Sequence, residues 1–153
     1  MELTPDPTIG SLRLQAYNNL AYGATGIEHF TYHNHSWMRA ACIERDSSRS
    51  PTFDLVKQLH RELQAQAGVF VGSIIQRIGY AGANPPKGTT PWKPYGGITS
   101  VEAGNKGAVV SNLKKTNHRF LAVAQDSALL GKKFDDVVRQ CELLERITAS
   151  CPA

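Results

Sequence analysis

The chain has 153 residues and a mass of 16.7 kDa, enough for one ordinary domain or two small ones, and its 41% hydrophobic content suffices for a packed core. Seventeen Lys and Arg against thirteen Asp and Glu leave a net charge of +4, but the basic residues are scattered from Arg13 to Arg146 and form no stripe of the kind that tracks a phosphate backbone. No nucleic-acid partner is expected, and no apolar run approaches the roughly 18 residues that would suggest a membrane span.

The opening Met1 to Pro7 is acidic and proline-rich, unlike the basic start of a signal peptide, so a soluble chain with no export address is expected and no compartment is indicated. From Ile9 to Tyr22 the residues Leu12, Ala16 and Leu20 recur at four-residue steps, predicting an amphipathic helix that Gly23 stops. Ile27 to Tyr32 is rich in β-branched and aromatic residues between Gly26 and Asn34, and reads as a buried strand. The polar, irregular stretch from His33 to Arg49 reads as a long loop, the kind of connection that often carries function.

Ser50-Pro51 then pairs a capping side chain with a proline at the first helical position, and Asp54 suits the positive end of the helix dipole. Phe53, Val56, Leu59, Leu63 and Ala67 follow at helical spacing, with Lys57, Arg61, Glu62 and Gln66 on the other side, and Gly68 is the expected stop. Helix, strand, loop, helix is one turn of an alternating α/β architecture. After Gly68 the text becomes β-rich. Val69 to Tyr80 is glycine-punctuated, Ala81 to Gly97 is broken by turns around Trp92 and Tyr95, and short strands are predicted at Ile98–Glu102, Ala108–Leu113 and Arg119–Ala124, spaced as in an antiparallel meander. Phe134 to Ile147 satisfies both helical and strand patterns.

Three widely separated cysteines, Cys42, Cys141 and Cys151, form neither a zinc knuckle nor a disulfide framework, and are read as unpaired thiols. Glu28, His29, His33 and His35 place three imidazoles within seven positions, but their spacing on a strand does not converge as a tetrahedral site requires, so no metal and no cofactor is expected. No Gly-x-Ser-x-Gly elbow exists, and the glycine-rich Gly79 to Thr89 is interrupted by two prolines and followed by no helix, which removes both a serine nucleophile and a phosphate loop.

The run RLQAYNNLAYGATGIEHFTY, residues 13–32, resembles the seventh helix and eighth strand of a glycoside hydrolase barrel. PTFDLVKQLHRELQ, residues 51–64, is similar to the eighth barrel helix of family 42 β-galactosidases and related putative glycosidases, with His60 standing where that pattern often has asparagine and Phe53 where it often has tyrosine. Residues 107–113 and 119–124 resemble the β-sandwich that follows such barrels. On this resemblance the fold is α/β followed by β: residues 1–68 are the last unit of an incomplete (β/α)8 barrel and residues 69–153 a small antiparallel β-sandwich, with 134–147 as a late strand.

A closed barrel takes about 250 residues, and the two carboxylates that cleave a glycosidic bond lie in the family on earlier strands, upstream of the residues present. No strand precedes Glu2, which reads as an exposed terminal residue, so no catalytic residue is assigned. The resemblance implies a carbohydrate partner, no hydrolysis of aryl glycosides by this chain alone, and self-association through barrel faces left uncovered. The candidate sugar contacts are Tyr32, His33, His35 and Trp37, which follow the carboxyl end of the expected strand: aromatic rings stack on a pyranose and histidines donate to its hydroxyls. The alternative is an autonomous carbohydrate-binding or protein-interaction module that uses the region around Trp92 and Tyr95.

Overall fold

The computed structural model describes residues 6–35, 40–103 and 107–124. Helix α1 covers Ile9–Ala21 and begins at a reciprocal cap, in which the Ser11 N–H donates to Thr8 Oγ1 (3.1 Å) and the Thr8 N–H donates to Ser11 Oγ (3.0 Å). Its buried side chains, Leu12, Ala16, Leu20 and Ala21, are the stripe the spacing predicts. Gly23, at φ 93°, ends the helix with its N–H on the Leu20 carbonyl.

Helix α2 covers Pro51–Phe70. Ser50 occupies the cap position, yet its hydroxyl donates to the Ala41 carbonyl (2.5 Å) and so ties the preceding loop to the helix start. Gly68 does not stop α2, which runs two residues further. The reason is that the end of the helix is satisfied from outside: Ser73 Oγ donates to the Val69 carbonyl and Lys115 Nζ to the Gly68 carbonyl (2.7 Å). The two helices pack through Leu12, Ala16 and Leu59, flanked by Ile9, Tyr17, Ile27, Leu55, Val56 and Leu63. Arg13 clamps Glu62 across them with two hydrogen bonds, Nε to Oε2 at 2.9 Å and Nη2 to Oε1 at 2.5 Å.

The expected strand at Ile27–Tyr32 does not form. Among the described residues no strand lies beside it and only its last carbonyl, that of Tyr32, takes part in a bridge, and an extended segment without a ladder has no reason to be a strand. Ile27 alone reaches the helical core, while Phe30 is 84% exposed and Tyr32 63%. The chain instead makes one parallel bridge, His33 to Ile43, with the Ile43 N–H on the Tyr32 carbonyl (2.9 Å) and the Asn34 N–H on the Ile43 carbonyl (2.7 Å). No α/β unit with a parallel strand is therefore present among the described residues, although helices and an antiparallel sheet are.

The sheet contains β1 (Ile74–Ala81), β2 (Ala108–Lys115) and β3 (His118–Ala124) in that order, all antiparallel. β1 pairs with β2 from Ile74↔Lys114 to Ala81↔Ala108, with a register irregularity between Ile75 and Arg77, and β2 pairs with β3 from Val109↔Ala124 to Lys115↔His118. Central β2 buries Ala108, Val110, Ser111, Asn112 and Leu113. The loop after β1 folds back along that strand: the Tyr80 N–H donates to the Thr90 carbonyl and the Trp92 N–H to the Tyr80 carbonyl. This approach requires Gly79, because a Cβ there would sit 2.5 Å from Trp92 Cα.

The strand expected at Ile98–Glu102 is absent. Ile98 instead closes a tight turn on Tyr95 around Gly96 and Gly97, both at positive φ. The described residues hold one open sheet rather than the two layers of a sandwich. Helix α1, which contacts β2 and β3, lies against that sheet. The 68/69 boundary falls inside α2, and residues 134–147 lie outside the described residues.

Candidate functional site

A cleft of about 480 Å³ lies between residues 27–32 and one face of α2. Its α2 wall follows from helical periodicity, because Phe53, Val56, Lys57, His60, Arg61 and Gln64 recur at three- and four-residue steps and share one side. The opposite wall is Ile27, Glu28, His29 and Tyr32, held to the helix by Ile27 in the shared core. Arg49 places its guanidinium carbon 4.5 Å from the centre of the Phe53 ring, adding a cation beside the aromatic wall.

Two imidazoles meet here. The His29 and His60 rings are 5.1 Å apart between centres and tilted by 31°. His29 Nε2 is buried with no hydrogen-bond partner. Burial, and then the neighbouring His60, push the His29 pKa below its ordinary value, so the neutral ring is favoured. Cys42 also borders the cleft as a buried free thiol, and burial raises its pKa.

Of the four residues singled out in the sequence, the three that are described separate. Tyr32 lines the cleft with an exposed ring. His33 and His35 turn toward one another, with ring centres 6.4 Å apart, and do not line it. Trp37 lies outside the described residues. Phe53, Lys57, His60 and Arg61 were not among those candidates, although the three- and four-residue spacing that groups them is visible in the sequence. What was missing was any sign of which helix face residues 27–32 would cover.

Glu28 is the only carboxylate on the cleft walls among the described residues, so the paired acids of glycosidic hydrolysis do not occur there. Nor does any group of three His, Cys, Asp or Glu side chains converge among the described residues. Trp92 and Tyr95 are not an open contact surface: Trp92 packs on Ala81, Ala108 and Val110, and Tyr95 lies under Arg77, whose guanidinium carbon is 5.2 Å from the ring centre. A second cleft, about 560 Å³, runs between Asn18, Asn19 and Tyr22 of α1 and Tyr80, Thr89 and Val109 at the sheet. No helix among the described residues is long and apolar enough to cross a membrane. The chain matches no family model, no curated protein and no solved structure.

Proposed function

We propose that this chain is the C-terminal portion of a glycoside hydrolase-like protein, carrying the last helical unit of a (β/α)8 barrel and the β-region behind it. Its own contribution is to hold a carbohydrate in the α2 cleft, not to cleave it. The observation that carries this reading is the exposed Tyr32 ring at the wall of a cleft whose other side offers Lys57, His60, Arg61 and Gln64. A flat aromatic face beside several hydrogen-bond donors is the combination that holds a pyranose, which has an apolar face and a hydroxyl rim. A single carboxylate leaves the acid-and-nucleophile pair incomplete.

Titrating the full chain with galacto-oligosaccharides, followed by calorimetry, tests the reading. Binding is expected, and Tyr32→Ala is expected to weaken it about 2- to 12-fold, the worth of one aromatic contact. Turnover of aryl glycosides is expected to be nil. Absence of sugar binding, affinity indifferent to Tyr32→Ala, or hydrolysis lost on replacing Glu28 would each overturn it.

Phe30, 84% exposed beside Tyr32, supports a second reading in which the same loop is an apolar contact for another protein or for a second copy of this chain. Sedimentation velocity separates the two, since Phe30→Ser would abolish self-association while leaving sugar binding intact.

A further inference from the structure

We infer that the sugar held in the α2 cleft is an acidic one, a pyranose carrying a carboxylate or sulfate substituent, and that Lys57 and Arg61 bind that substituent. The inference rests on the carbohydrate reading and adds to it the class of sugar. Its first support is the placing of charge. Lys57 and Arg61 stand one turn apart on the face of α2 that forms the cleft wall, and both are exposed. Arg49, also exposed, lies over the Phe53 ring at the same wall. Three cations therefore meet at a cleft in which Glu28 is the one lining carboxylate among the described residues.

The second support is that these charges are unanswered within the chain. Glu62, the acid next to Arg61 in sequence, is turned to Arg13 and Gln58. Neither Asp54 on α2 nor Glu28 across the cleft bridges to Lys57 or Arg61. Like charges four residues apart disfavour a helix, so α2 itself gains nothing from the pair, whereas a bound anion would use both. The third support is the division of the cleft. The wall at residues 27–32 offers the Tyr32 ring for stacking and the Glu28 carboxylate to accept from sugar hydroxyls. The α2 wall offers the Lys57 ammonium and the Arg61 fork, which matches a carboxylate or a sulfate with two parallel hydrogen bonds. A pyranose stacked on Tyr32 thus turns its charged group away from Glu28 and toward α2. A neutral sugar leaves the two cations without their counter-charge.

Calorimetry of the full chain with trigalacturonate, with sulfated galactotriose and with neutral galactotriose tests this. At least one acidic sugar is expected to bind about tenfold more tightly than the neutral one, the worth of one hydrogen bond to a charged group, and the tighter of the two identifies the substituent. In the double variant Lys57→Gln, Arg61→Gln that preference should fall from about tenfold to near one. The double variant Lys87→Gln, Lys93→Gln, at exposed positions outside the cleft, should retain it. A second measurement avoids substitution altogether: on the unaltered protein, raising sodium chloride from about 50 to about 500 mM should weaken binding of the acidic sugar and not of the neutral one. Equal affinity for acidic and neutral sugars, a preference that survives Lys57→Gln, Arg61→Gln, or triglutamate binding as tightly as trigalacturonate would overturn the inference. Equal affinity leaves the carbohydrate reading standing, whereas failure of every sugar to bind overturns both.

Discussion

His29 gains its character from its setting. Its ring sits partly buried beside α2, near a second imidazole, and both burial and that neighbour disfavour the imidazolium, so its pKa in the folded chain lies below the ordinary 6.5. The unfolded chain then takes up the proton at higher pH than the folded one, and below 6.5 it is the unfolded state that binds more protons. The contribution to stability is complete above that value and is lost as pH falls through the lowered folded pKa. Urea midpoints measured from about pH 7 to about pH 5 should therefore decline, and more steeply for the native sequence than for His29→Phe; parallel profiles would show that His29 is not responsible. In the sequence, His29 is indistinguishable from His33 and His35. Only the packing of Ile27 against the helices gives one of the three a buried nitrogen.

The helix pair depends on a link that the chain separates by 49 positions. Arg13 and Glu62 meet in a two-bond clamp with both side chains largely shielded from water, and the contact holds Arg13 above its ordinary pKa, mainly through the hydrogen bond to Glu62. Gln58 Nε2 donates to the same carboxylate at 3.2 Å, so Glu62 keeps that bond when Arg13 is removed. Arg13→Ala and Glu62→Ala are each expected to cost about 1–3 kcal/mol, with a coupling well above that of an exposed pair in a double-mutant cycle; additive losses in chemical denaturation would refute this. Arg13→Lys should not restore the loss, because an ammonium does not reproduce the fork. Both helices were legible from their periodicity and start signals. The end of α2 was not, since its extension past Gly68 relies on Lys115, a residue of β2.

Among the described residues two apolar clusters are distinct, one around Leu12, Ala16 and Leu59 between the helices and one around Ala81, Ala108 and Val110 on the sheet. Helix α1 touches α2, β2 and β3, so it belongs to both parts. One cooperative unfolding transition is expected on that account. Leu59→Ala, at a fully buried position, should cost about 2–5 kcal/mol and shift the helical circular dichroism and the tryptophan emission together; a displaced dichroism curve over an unmoved emission curve would mean that the sheet unfolds independently. The sequence by itself determined α1, α2, β2 and β3, because each follows from a short-range rule: an apolar period, a proline at a helix start, a glycine stop, or a β-branched run beside a polar turn. Only the tertiary structure decided that Ile27–Tyr32 is a half-buried loop rather than a strand, that Ile98 closes a turn, and that His29 meets His60. Strand formation requires a partner and a cleft requires two walls, and neither condition is written in the local order of residues.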